Sequence, residues 1–116
     1  MLAGKFHLKG KKNFDAVLKK GKFVQSESFG IAYLESNDKK DFSSFGFIIS
    51  TKISKHSVLR NRIKRALSEA VRFAMSRVKE GYDVVFLAKA ISLKKPTSDL
   101  MHEVEATLIK AGLFKK

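Results

Sequence analysis

The stretch from Leu59 to about Lys79 carries a long run of helical periodicity, and short apolar runs stand on either side of it. Leu59, Ile63, Ala66, Leu67, Ala70 and Ala74 recur at the spacing that lines one side of a helix. Upstream, residues 42–50 are rich in strand formers: Phe45, Phe47, Ile48 and Ile49. Gly46 within that run points to a close backbone approach or a bulge. Downstream, Asp83 to Ala88 reads as a short apolar strand. A strand–helix–strand unit of this kind must lay the apolar side of its helix on a sheet. Ser57 is the expected cap at the start of the helix, and Gly81 the expected stop.

The flanking segments extend this plan. Residues 11–20 form a short amphipathic helix through Phe14, Val17 and Leu18, closed by Gly21. Residues 22–35 read as extended, with Phe29, Ile31 and Tyr33 on one face and Ala32 and Leu34 on the other. A polar turn, Ser36 to Lys40, joins this stretch to the next strand. After a loop from Lys89 to Pro96, Thr97 or Ser98 caps a last helix with Leu100, Met101, Val104 and Leu108 inward. The expectation is an α+β fold of 116 residues in a single domain. Its order is helix, strands, helix, strand, helix, with one mixed sheet covered by helices.

The charge is concentrated. The chain has 24 Lys+Arg against 11 Asp+Glu, a formal net charge of +13. Residues 5–22 hold seven Lys and one acid, Asp15; residues 52–79 hold nine Lys or Arg and one acid, Glu69. A field of this sign speaks of a polyanionic partner, with nucleic acid ahead of an anionic membrane surface. Arg60-Asn61-Arg62-Ile63-Lys64-Arg65 sharpens the point, because these cations fall in the first turns of the long helix. That end carries partial positive charge, so exposed cations there are unfavourable by ~0.3–1 kcal/mol each. A bound phosphate chain is the simplest compensation, since Arg offers it a planar donor fork. Around the helix, Asn61, Lys64, Arg65, Ser68, Arg72 and Lys79 lie opposite the apolar stripe, with Arg60 and Arg62 on its two flanks.

Catalytic chemistry is poorly represented. There is no Cys, and His7, His56 and His102 lack metal-ligand spacing. No Walker loop, dinucleotide fingerprint or nucleophile elbow is present. No apolar run approaches the ~20 residues of a membrane span. The opening residues Met1 to Phe6 hold no apolar run of the secretory kind, so the cytoplasm is the expected location. Of the ten Phe, Phe47, Phe73 and Phe86 are assigned to the core. Phe14, Phe29 and Tyr33 stand beside the basic segments, where they can serve either as core or as a stacking platform for single-stranded nucleic acid.

Arg60 to Arg65, continued by Ala66-Leu67-Ser68-Glu69-Ala70-Val71-Arg72, resembles the RNR-motif helix of the bacterial ribonuclease P protein family. Lys12 to Gly21 resembles that family's first helix, Phe45 to Lys52 the strand entering the motif, and Gly81 to Ala88 the strand leaving it. The resemblance runs in order over nearly the whole chain. It implies a left-handed βαβ crossover around the motif helix. It also implies a division of labour: a large RNA catalyses, with Mg²⁺ bound mainly by that RNA, while the protein binds the RNA and the 5′ leader of precursor tRNA. The implied assembly is one protein and one RNA. The resemblance places Arg60, Asn61, Arg62, Lys64 and Arg65 at the RNA subunit, with Lys52 and Arg72 as neighbours. It places Phe14, Leu18, Phe29 and Tyr33 at the leader, and none of these residues in a catalytic or metal-binding role. Leu18 stands where many members have a second Phe, and Thr51 replaces the first Lys of a common pair. The alternative is a general RNA-binding protein of ribosomal type, which would share the charge without a processing role.

Overall fold

The computed structural model describes residues 3–36 and 42–115. Among them, β1 (Lys22–Gln25), β2 (Phe29–Glu35), β3 (Ser44–Ile48) and β4 (Tyr82–Ala88) form one mixed sheet in the order β1-β2-β4-β3. Helices α1 (Lys11–Lys20), α2 (Ser57–Ala74) and α3 (Thr97–Lys110) cover it. β4 pairs antiparallel with β2 and parallel with β3, so α2 is the crossover between two adjacent parallel strands. At the outer edge of β3, His7 bridges Phe45, and the Leu8 N–H donates to the Phe45 carbonyl at 2.8 Å.

Strand alternation sorts the side chains into two cores. Phe29, Ile31, Phe45, Val84 and Phe86 pack with Ile63, Leu67 and Val71 of α2 and Val104 and Leu108 of α3. Phe86 centres this layer, its ring 5.5 Å from Phe29 and 5.4 Å from Phe47. Each such ring contributes ~1.5–3 kcal/mol by leaving water. On the opposite face, Val17 of α1 packs with Leu8, Ala32 and Val85 in a smaller cluster. α1 sits close to the sheet because Gly21 follows it: a Cβ there would stand 2.4 Å from the Val17 carbonyl oxygen and 2.7 Å from that of Tyr33.

Several expectations are corrected. The extended stretch 22–35 is a hairpin of β1 and β2, broken at Ser26–Ser28. The residue flanking α2 is His56, with no side-chain cap, so Ser57 is already helical. The helix ends at Ala74, where a 3-10 turn (Met75–Arg77) follows, and Gly81 (φ 84°) instead turns the chain into β4. Pro96 flanks α3 without a side-chain cap, and Thr97 opens the helix. Leu59 is exposed and Ser68 is buried, donating its hydroxyl to the Arg65 carbonyl at 3.1 Å. Phe73 is 63% exposed rather than core, because it falls at the border of the apolar stripe and points past α3. The strand expected over 42–50 is shorter, and its regular register with β4 carries no bulge. Residues 37–40 of the expected polar turn lie outside the described residues.

The hairpin turn is held from α3. The Glu103 carboxylate accepts from the Ser28 N–H at 2.7 Å, the Ser28 hydroxyl at 2.8 Å and the Ser26 hydroxyl. From β4's side, the Lys89 ammonium donates to the Ser26 carbonyl at 2.6 Å. Burial alone would raise the Glu103 carboxyl, but the donors from Ser26 and Ser28 outweigh it and hold it below its ordinary value of 4.5. A depressed folded value means stability that is present above the unfolded value and lost as pH falls through the folded one. Glu103→Gln should therefore cost about 1–3 kcal/mol near neutrality. It should also flatten the fall of stability below pH about 4.5, as read by denaturant melts at stepped pH. A variant with the parent's slope would show that the carboxylate's charge has no part in holding the turn.

Candidate nucleic-acid interface

Because α2 begins at Ser57, the cationic segment runs from the end of its first turn to its middle rather than filling the first turns as expected, and its members do different things. Arg60 donates to the Ser54 carbonyl at 2.7 Å, drawing the preceding connection against the helix. Arg62 spreads its fork over two carbonyls ahead of α3, Leu93 at 3.0 Å and Lys95 at 3.1 Å. These two arginines thus find their compensation inside the protein. Lys64 and Arg65 are exposed, and their side chains have no hydrogen-bond or ion-pair partner among the described residues. Asn61 and Lys52 are also exposed. Arg72 ion-pairs with Glu69 at 2.8 Å, and its guanidinium lies 4.5 Å from the centre of the Phe73 ring.

Helical geometry gathers the exposed groups. Asn61, Arg65 and Arg72 are spaced by four and seven residues, so they form one line along the outside of α2. Lys64 stands beside that line, while Ser68, expected among them, is buried. Lys52 lies in the connection that leads into the helix. Uncompensated charge at the positive end of a helix costs free energy until an anion arrives. In α2 only Arg60 falls in the first turn; Lys64 and Arg65 stand midway along Ser57–Ala74, so their exposure rather than the helix end leaves them available to an anion.

A second surface lies on the far side of the sheet, where α1 covers only part of the small cluster. Phe14, Leu18, Leu34, Ile48 and Leu87 are only partly buried there. Phe14 lies over Gly46, where a Cβ would stand 2.4 Å from its ring; the close approach is to this ring. The register pairs Phe23 with Ala32, which places Phe23 on this same face, 50% exposed. Lys9, Lys11, Lys12, Lys19, Lys20 and Lys22 are exposed on α1 and the segments flanking it. The result is an apolar cleft bordered by cations, the combination that receives single-stranded nucleic acid.

The expected leader group divides across the sheet. Phe14 and Leu18 come together in the cleft. Phe29 does not join them: it is 0% exposed in the larger core, against Phe86, and has no free ring face. Tyr33 shares the face of Phe29 and meets Tyr82 edge-on at 6.4 Å. The alternation of β2 sends both rings away from α1. Phe23 was not singled out from the sequence, yet the alternation would have found it once the hairpin register was known. Among the described residues, no group of three His, Asp or Glu side chains could hold a metal ion.

Comparison with known proteins follows the same lines. A family model described as Ribonuclease P matches residues 2–112. The ribonuclease P protein component of Clostridium kluyveri is 36% identical over 112 residues, covering 95% of this chain and 97% of that one. The solved RNase P protein of Staphylococcus aureus has a TM-score of 0.87 at 26% identity, covering 95% of this chain and 98% of that one. The RNase P protein of Thermotoga maritima shares the fold, with a TM-score of 0.79 at 21% identity over 90% and 96% of the two chains.

The contrast between fastened and free arginines is open to measurement. Arg62→Ala should lower stability by about 1–3 kcal/mol, because two carbonyls lose a charged donor. Arg65→Ala should leave thermal unfolding unchanged, since its exposed side chain has no hydrogen-bond or ion-pair partner among the described residues. Equal midpoints for both variants would refute the distinction.

Proposed function

The chain belongs to the ribonuclease P protein family, and on that premise we propose how its two surfaces share the work. It is a protein component of ribonuclease P, a ribonucleoprotein endoribonuclease of tRNA 5′-leader processing, and its partner is the ribonuclease P RNA. The outer line of α2 is its seat on that RNA: Asn61, Lys64, Arg65 and Arg72 meet phosphates, and Lys52 extends the contact. Arg60 and Arg62 hold the connections on either side of the seat in place, and belong to it in that sense. The observation that carries this reading is the pair Lys64 and Arg65, exposed midway along α2 with side chains that have no hydrogen-bond or ion-pair partner among the described residues.

The cleft between α1 and the sheet takes the 5′ leader of precursor tRNA. Phe14, Leu18 and Phe23 offer apolar faces to bases, and the lysines of α1 attract phosphates. Stacking tolerates any base, which suits an enzyme that handles many leaders. Gly46 sets the height of the Phe14 ring. The chain acts as one RNA-binding domain, as a monomer with one RNA, in the cytoplasm. Bond cleavage lies with the RNA and the Mg²⁺ it holds, and this chain's part is to bind and position RNA.

Reconstitution tests the assignment. Added to a bacterial ribonuclease P RNA at low Mg²⁺, the protein should raise precursor tRNA cleavage, and alone it should cleave nothing. Arg65→Ala and Lys64→Ala should each weaken RNA binding and reduce its salt slope by about one unit. Unaltered affinity in both, or cleavage by RNA-free protein, would overturn the assignment.

The leader cleft has its own measurement. Phe23→Ala and Phe14→Ala should cost the holoenzyme roughly 1–2 kcal/mol of affinity for precursor tRNA, a partial stacking value for an open site. Affinity for mature tRNA should not change. Equal losses on both substrates would return these rings to a packing role.

A further inference from the structure

Phe73 is a large ring in an odd place. It stands 63% exposed on α2 while smaller apolar side chains fill the interface with α3. Val58, one turn before Arg62, is 77% exposed on the same side. Between them the two helices leave an open groove of about 590 Å³, floored by Ala66 and Met101. Its rim is Asn61 and Arg65, two members of the RNA seat. The volume falls in the range of pockets that hold small planar ligands, roughly 300–1,000 Å³.

The back of the groove is pre-set. Glu69 ion-pairs with Arg72 at 2.8 Å, and Arg72 holds its planar guanidinium 4.5 Å from the centre of the Phe73 ring. Ring and guanidinium are both surfaces on which a flat heterocycle stacks. The Asn61 amide can both donate to and accept from a base edge, and Arg65 supplies charge for a phosphate beside it. An apolar floor, a stacking wall and a cationic rim continuous with the seat together describe one occupant. We propose that this groove holds an unpaired nucleobase of the RNA subunit, stacked on Phe73, with its flanking phosphate on Arg65. The proposal rests on α2 being the RNA seat, and it adds to that seat a contact that salt does not screen.

The test is RNA binding by the full chain across a salt series. Phe73→Ala should weaken binding about tenfold with the salt slope unchanged, because stacking releases no counterions. Phe73→Trp should retain parental affinity. The exposure of the ring predicts the same thermal midpoint for all three proteins. A photoreactive amino acid at position 73 should cross-link to an unpaired nucleotide of the RNA. Parental affinity in Phe73→Ala, beside weakened Arg65→Ala, would overturn the base pocket and leave the seat standing. Parental affinity in both would remove the seat as well. A Phe73→Trp variant as weak as Phe73→Ala, or cross-links only to duplex RNA or to a second copy of the protein, would also overturn the pocket.

Discussion

The parallel pairing of β3 with β4 obliges the chain to cross over the sheet between them, and α2 is that crossing. A crossover helix has one side committed to the sheet. Ile63, Leu67 and Val71 meet that commitment through the layer of Phe45 and Phe86. The other side is left outward by construction, and it holds Asn61, Arg65 and Arg72 in line. The cationic outer surface of α2 is thus a by-product of strand order. β4 serves both cores at once, sending Val84 and Phe86 one way and Val85 the other.

The arrangement sets neighbouring cations to different tasks. Two basic side chains of one short motif, Arg60 and Arg62, are spent on backbone carbonyls, while those of their neighbours Lys64 and Arg65 stand exposed with no partner among the described residues. What each side chain can reach decides which is which. Arg62 points toward the segment that leads into α3, and Arg65 points past it. A motif of like residues therefore need not be a set of like roles.

Much of this was legible beforehand. The 3.6-residue pattern located α1, α2 and α3, and the strand–helix–strand unit around the basic motif was correctly inferred. Pattern failed where a residue's fate depended on elements distant in sequence. Phe29 and Phe23 are both aromatic and both near lysines, yet one is in the core and the other half in water. The hairpin turn that separates them decides this, and it is clasped by Glu103, which lies 75 residues beyond Ser28. Ser68 read as surface because it is polar and opposite the stripe. Phe73 read as core because it is large. Neither its size nor its period shows where α3 stops covering α2.

The two outer strands of the sheet have a consequence for the protein before it meets any RNA. An unpaired strand edge is a template for another chain's strand, and a basic protein waiting for a polyanion is exposed to that hazard. Here β1 is four residues long and begins with Lys22, too short and too charged to recruit a neighbour. β3 has its outer edge engaged by the segment around His7 and Leu8. With one border short, the other engaged and a net charge of +13 repelling other copies, the sheet offers little for edge-to-edge pairing between copies of this chain.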